Sequence, residues 1–259
     1  MYLKKESLPT NSKIVWITLI TPGFIKYAQN FFKTLQLNQI NFKVLVFCSC
    51  LECVEALKDF PLAQCVVVDT NYKQETLIYG EAEYRKVVFQ KFDIMSYILN
   101  LINGDKNFEG LGFIDMDVIM LKDISSLFYD YLQKYTEIDI FAQCDEGEQE
   151  CSNHENCVWL NTGCIVFRNK LLLDKFFKHT EKDIQQNQGN QSFFCKLLKK
   201  YKDIKHLTIS KQILLNGKNK YVRRHSNDLP ANAHLLHFNY MFDKDKIPNM
   251  KKRGVWVVG

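Results

Sequence analysis

Two carboxylates one residue apart, Asp115 and Asp117, interrupt a stretch that is otherwise apolar: Gly110-Leu111-Gly112-Phe113-Ile114 before them and Val118-Ile119-Met120-Leu121 after them. On an extended chain, residues two apart face the same side, so both acids are expected to point one way and Met116 the other. Unpaired carboxylates are costly to bury, so positive charge is expected beside them. Two acids at the carboxyl end of a strand suit a hard divalent cation held together with a diphosphate. The other D-x-D triplet, Asp243-Lys244-Asp245, lacks an apolar frame and reads as a solvated segment. His237 closes a second apolar run, His234-Leu235-Leu236, where a neutral imidazole makes a good third ligand for an ion already held by carboxylates. His234 itself reads as structural. Lys244 and Lys246 follow, as flexible point charges for phosphate oxygens.

The elements that must position these residues alternate. Lys13–Ile20 is a short apolar run ended by Pro22-Gly23, as expected of a buried parallel strand. Phe24–Leu37 carries apolar residues at helical spacing, Phe42–Cys48 reads as a second strand, Leu51–Phe60 as a short helix and Cys65–Asp69 as a third strand. Val88, Phe92, Met95, Leu99 and Ile102 form one helical stripe that Asn103-Gly104 ends, and Gly110–Ile114 enters a fourth strand. Further on, 139–143, 158–168 and 234–238 read as strands, 171–179 and 191–201 as helices, and 243–252 as a terminal helix or turn. The series predicts an α/β fold, a doubly wound sheet with right-handed crossovers. Without repeats or a composition break, residues 1–259 are expected to form one domain, with a nucleotide-binding half at about 13–121 and an acceptor-facing half at about 122–259.

Composition narrows the class. Apolar residues make up 46% and charged residues 24% of 259, which excludes a disordered tail, a collagen and a disulfide miniature. The net charge of +5 comes mostly from dispersed lysines, a pattern expected for anionic small-molecule ligands rather than nucleic acid. Nine cysteines are irregularly spaced, and neither Cys48/Cys50/Cys53 nor Cys144/Cys151/Cys157/Cys164 with His154 supplies the paired C-x2-C units of a zinc ribbon. Reduced, mostly buried thiols are expected. The run Ile14–Ile20 is far shorter than the roughly 20 residues that span a bilayer, and no small-residue cleavage site follows it. The chain therefore reads as unprocessed, soluble and cytoplasmic, with no transmembrane segment.

The order of these pieces carries a resemblance. A β-α-β-α-β start is followed by a Lys-bearing helix and Phe113-Ile114-Asp115-Met116-Asp117-Val118. Then come Asn161-Thr162-Gly163, Asn190-Gln191 and His237-Phe238-Asn239-Tyr240 with Lys244. This resembles the GT-A nucleotide-diphospho-sugar transferases from about Lys13 to Trp256, especially the retaining groups that include glycogenin, bacterial lipopolysaccharide galactosyltransferases and plant cell-wall xylosyltransferases. The resemblance implies a GT-A-like, Rossmann-type doubly wound mixed sheet with helices on both faces. It implies Mn2+ or Mg2+ held by Asp115, Asp117 and His237 on the diphosphate of a nucleotide-sugar donor, a UDP-sugar. It places Thr18, Thr21 and Tyr27 at the nucleoside, Lys91 and Lys244 at the donor, Asn161 and Gly163 beneath the donor sugar, and Asn190 and Gln191 at the sugar hydroxyls and reacting carbon. Three departures stand out: Asn190 where relatives carry Asp, Asp243 where a Gly is frequent, and a longer Lys91–Asp115 segment. Asn190-Gln191-Ser192 is formally a glycosylation sequon, but its position inside the implied site argues against its use as one.

The expected reaction is transfer of a hexosyl or pentosyl group to a glycan, glycoprotein or other hydroxyl acceptor, through an oxocarbenium-like transition state. Asp145 and Glu146, which open an acidic loop, are candidates for a base or for binding acceptor hydroxyls; Gln191 is the preferred residue beside the anomeric carbon if configuration is retained. The residues exclude a haloacid-dehalogenase-type phosphatase, because no paired-acid segment follows Asp117. They also exclude a sugar nucleotidyltransferase, because no Gly-rich loop follows the first strand. The alternative is a catalytically degenerate GT-A module that binds or scaffolds.

Overall fold

The structure, a computed structural model, describes residues 3–68, 80–145, 157, 159–219, 222, 229–241 and 243–259. The first apolar run forms β1 (Ile14–Ile20), buried except at Leu19. It pairs in parallel on both edges, with β2 (Val44–Cys48) and with β4 (Gly110–Ile114). A strand paired on both edges and covered on both faces has no polar side, which is why the sequence there is a continuous apolar run. Between these strands lie α1 (Ile25–Leu37), α2 (Leu51–Leu57), β3 (Ala63–Val67) and α3 (Ala82–Ile102). With β6 (Ile140–Cys144), β7 (Leu160–Arg168) and β8 (His206–Ile209) they complete a seven-stranded sheet in the order β3-β2-β1-β4-β7-β6-β8. Only β7 runs antiparallel to its neighbours in that sheet.

The chain winds from β1 outward to β2 and β3, then returns to the other side of β1 for β4. That reversal opens a crevice at the carboxyl ends of β1 and β4, where open α/β sheets bind ligands. A small sheet flanks it, in the order β5 (Val118–Met120), β10 (Leu235–His237), β9 (Leu214–Leu215).

Alternation along β1 divides the core into two layers. Ile14 and Trp16 pack with Phe31 and Leu35 of α1, with Phe128 of α4 (Ile124–Lys134), and with Leu235 and Leu236 of the small sheet. Val15 and Ile17 pack on the other face with α3 and with Phe194 of α6 (Asn190–Lys200). All five residues of the α3 stripe are buried. Burying a side chain of that size contributes about 1.5–3 kcal/mol, against propensity differences of about 0.5 kcal/mol per residue, so the stripe decides which face of α3 meets the sheet.

Several expectations change. The helix at 51–60 ends at Leu57, and the segment from Leu171 to Phe176 is 3-10 rather than α. α3 begins at Ala82, six residues before the apolar stripe, because its first turns are polar and show no periodicity. α4 and the short α5 (Glu181–Gln186) were not marked by the pattern, although each has a side-chain cap: Asp123 accepts from Ser125 N at 2.7 Å, and Thr180 with Asp183 forms a capping box. The C-terminal helix α7 spans Asp243–Lys252 as expected. No described helix is long and apolar enough to cross a membrane.

Candidate active site

β4 delivers Asp115 to the crevice, where its N–H donates to the Gly163 carbonyl at 2.8 Å. The chain does not continue extended through Asp117, as the alternation argument assumed. It bends at Met116-Asp117, burying Met116 in the core and carrying β5 off to the small sheet. There β10 pairs antiparallel with β5, with His237 opposite Val118, and Phe238 N–H donates to the Asp117 carbonyl at 2.9 Å. This register brings His237 Nε2 to 3.2 Å from Asp117 Oδ1 and 3.9 Å from Asp115 Oδ2. One ligand atom from each residue lies within 4.8 Å of the others.

Each acid also has a lysine, and the two lysines come from opposite faces of the large sheet. Lys91 of α3 donates to Asp115 Oδ1 at 2.5 Å, with its ammonium 4.6 Å from the centre of the Phe113 ring. Lys246 of α7 donates to Asp117 Oδ2 at 2.9 Å. Burial alone would raise the Asp117 pKa, but the charges of Lys246 and His237 and their hydrogen bonds outweigh it and hold the carboxyl well below the usual carboxylate range. Lys244, two positions earlier on α7, is exposed.

Lys246→Met removes one half of this buried pair and is expected to cost about 3 kcal/mol, by the usual penalty for stranding a buried charge. A depressed folded-state pKa stabilises above the unfolded value and ceases to do so as pH falls through the folded one. The stability gap between wild type and variant, read by urea unfolding, should therefore be full at pH 7, shrink as pH falls and the stranded carboxyl of the variant takes up a proton, and close fully only below the ordinary carboxylate range.

Gly163 forms the floor. A Cβ there would lie 2.3 Å from Asp115 Oδ2, 2.5 Å from His237 Cε1 and 2.9 Å from Asn161 Oδ1. Asn161 Oδ1 accepts from Gly163 N–H at 2.7 Å, while Asn161 Nδ2 donates to Asp145 Oδ1 at 3.3 Å, so Asn161 joins the acid–imidazole cluster to a second one.

That second cluster surrounds Asp145, which is buried. Gln191 Nε2 donates to its Oδ2 at 2.6 Å, Tyr240 Oη donates to the same oxygen, and Lys218 Nζ donates to its main-chain carbonyl at 3.0 Å. Tyr240 holds a left-handed backbone, φ 60°, uncommon for an aromatic residue and a form of local strain found at binding sites. Gly217 makes that loop possible: a Cβ there would lie 1.7 Å from the Asn239 carbonyl oxygen. Asn190, the first residue of α6, is buried with Nδ2 lacking a hydrogen-bond partner among the described residues.

The residues expected at a nucleoside are divided. Thr18 is wholly buried within β1 and its Oγ1 has no described hydrogen-bond partner. Thr21 sits at the turn after β1, its carbonyl accepting from Phe24 N–H at 2.9 Å. The Tyr27 ring lies 5.6 Å from that of Phe24 and 5.9 Å from the ammonium of Lys246. Thus Thr21 follows the carboxyl end of β1 and Tyr27 lies near the lysine paired with Asp117, while Thr18 is enclosed within the strand. Glu146, Cys151 and His154 fall outside the described residues; the Cys144 and Cys157 thiols lie 3.7 Å apart.

Pattern reading missed Gln143, Lys218 and Tyr240. Gln143 had a usable signal: an amide inside the apolar strand Ile140-Phe141-Ala142-Gln143-Cys144 must find buried partners. Tyr240 stands in the segment that carries the resemblance but was given no role, and Lys218 carried no signal, because only the folded loops bring them to Asp145.

Among solved structures, the glycosyltransferase GlyE of Streptococcus pneumoniae TIGR4 aligns with 96% of this chain at TM-score 0.57 and 16% identity. The chain spans only 61% of the length of GlyE. The galactosyltransferase LgtC, solved with donor and acceptor sugar analogues, aligns over 93% of this chain and 94% of its own at TM-score 0.54 and 11% identity. A glycosyltransferase involved in glycosylation of the major capsid of PBCV-1 aligns over 92% and 98% at TM-score 0.53 and 14% identity. These likenesses identify the fold as GT-A. No curated protein sequence matches the chain. The sequence model of the nucleotide-diphospho-sugar transferases matches residues 43–250, which include Asp115, Asp117, His237 and the Asp145 cluster, and the chain belongs to that family.

Proposed function

We propose that this chain is a metal-dependent glycosyltransferase that moves a sugar from a UDP-sugar to a hydroxyl of a glycan or glycoprotein acceptor, with retention of configuration. The observation that carries the reading is the convergence of Asp115, Asp117 and His237 at the crevice between β1 and β4. Two carboxylates and an imidazole form a donor set suited to Mn2+ or Mg2+. The missing Cβ of Gly163 leaves the acids and the ring the room that a side chain would fill. When bound, the cation supplies Lewis-acid stabilisation of the charge that develops on the departing diphosphate.

The chain's own residues do the rest. Lys91 and Lys246 already stand at the two acids and add positive charge where the leaving group's charge grows, as electrostatic catalysis requires. Lys244, exposed at the start of α7, reaches from the solvent side. Thr21 and Tyr27 wall the nucleoside. Gln191 is held by Asp145 and presents its amide toward the donor sugar and the reacting carbon. The oxygens of Asp145 already accept from Asn161, Gln191 and Tyr240, which favours an orienting role over that of a free base. Asn190 offers a buried amide donor, without a partner among the described residues, in place of a carboxylate.

Thermal unfolding with UDP and Mn2+ tests the class. Ligand at about 100 times its Kd stabilises by roughly 2.7 kcal/mol. An upward shift is expected with UDP and Mn2+ together, and little with either alone. No shift with any nucleoside diphosphate and metal would overturn the enzyme reading in favour of a scaffold. NMR of the product anomer then decides the stereochemical course.

A further inference from the structure

The imidazole of His237 can serve a cation only through a nitrogen that carries no hydrogen, and two features outside the acid cluster decide which nitrogen that is. The first is a break in register. Ala142 of β6 faces Ile165 of β7, but the next residue, Gln143, faces Asn161, so Thr162, Gly163 and Cys164 have no partner on β6. Irregularities of this kind re-aim side chains beside functional sites, and this one sends the fully buried Gln143 from the large sheet toward the small one. The second is the Leu214 carbonyl of β9. Gln143 Nε2 donates to it at 3.1 Å. A main-chain carbonyl only accepts, so the amide cannot be reversed without setting two oxygens against each other. Gln143 Oε1 therefore faces His237 Nδ1, at 2.9 Å.

We propose that Gln143 is a positioning residue that accepts from Nδ1–H of His237 and so turns Nε2 toward the cation. The inference rests on the metal-dependent reading above. Without Gln143 the neutral ring gains more by carrying its hydrogen on Nε2, where it would donate to Asp117 Oδ1 at 3.2 Å and withdraw the lone pair from the site. Gln143 gives the metal-competent tautomer a hydrogen-bond acceptor that it would otherwise lack. Partners of this kind, which touch a ligand residue but not the ion, commonly change metal affinity by about 10–100-fold.

Two-bond 1H–15N correlation spectra of the metal-free protein read the tautomer directly, with the His237 signals assigned by their loss in His237→Gln. The wild type should show hydrogen on Nδ1, facing Gln143 Oε1; a bare Nδ1 overturns the proposal without any variant. Gln143→Met should shift the signals toward the Nε2–H form and weaken Mn2+ binding, measured by EPR of the free ion, by about 10–100-fold. Gln143→Glu, whose carboxylate can still accept from Nδ1–H, should keep hydrogen on Nδ1, at a cost in stability because its other oxygen then faces the Leu214 carbonyl. Unchanged tautomer and affinity in Gln143→Met would also overturn it. If the wild type binds no Mn2+, the metal-dependent reading fails, while the nitrogen signals still judge Gln143 separately.

Discussion

Asp115→Asn should lower Mn2+-dependent cleavage of a UDP-sugar by about 100- to 1,000-fold, the scale on which a single stabilising group acts at a developing anion, with the fold retained. The choice among the three candidate ligands follows from their surroundings. Asp117 is buried against Lys246, so removing its charge strands a buried ammonium and costs stability on the order of 3–5 kcal/mol. Activity lost in that variant would not be separable from unfolding. The Asp115 side chain is 27% exposed, and asparagine keeps an oxygen for Lys91 while giving up the charge that a dication requires. Circular dichroism and thermal unfolding close to wild type, together with loss of metal-dependent hydrolysis and of Mn2+ binding, is the expected outcome. Full hydrolysis in Asp115→Asn would place the metal site elsewhere.

Gly163→Ala is expected to be nearly as damaging through a single methyl group. The new Cβ would meet the Asp115 carboxylate, the His237 ring and the Asn161 amide, all closer than 3 Å. Each is a side chain held in place by other bonds: Asp115 by Lys91, His237 by Gln143, Asn161 by Asp145. Overpacking of this kind costs about 1–3 kcal/mol, which the fold should survive. Displacing two of three ligand groups should nevertheless weaken Mn2+ binding at least as much as losing a supporting hydrogen bond, about 100-fold. Isothermal titration with Mn2+ and UDP measures this. An alanine variant that binds both as the wild type does would mean that Gly163 does not shape the site.

Much of this architecture was legible along the chain. The apolar run of β1 needs paired edges and two covered faces, and the α3 stripe needs a flat apolar partner; both requirements are written in neighbouring residues and can be read locally. The interruption of an apolar stretch by Asp115 and Asp117 was informative for a similar reason, since buried charge demands a partner wherever it occurs. The reading faltered where two nearby residues compete for one role. Lys244 and Lys246 are equally plausible by distance from His237, yet residues two apart on a helix point about 200° apart. The docking of α7, which buries Met250 in the core, turns Lys246 inward and Lys244 outward. Which face of a mostly polar helix is inward has no signature in ten residues.

By itself the sequence determined the alternating strands and helices, the doubly wound sheet they imply, and the residue types able to hold a cation at a strand end, because each follows from short-range periodicity or from the cost of burying charge. The tertiary structure alone decided that His237 meets two acids more than a hundred positions before it, that the bulge in β7 puts Gly163 beneath them, and that Gln143 reaches across from one sheet to orient the ring on another. Those outcomes depend on strand register between distant segments, and register is settled by the whole packed core rather than by any stretch that a local pattern can see.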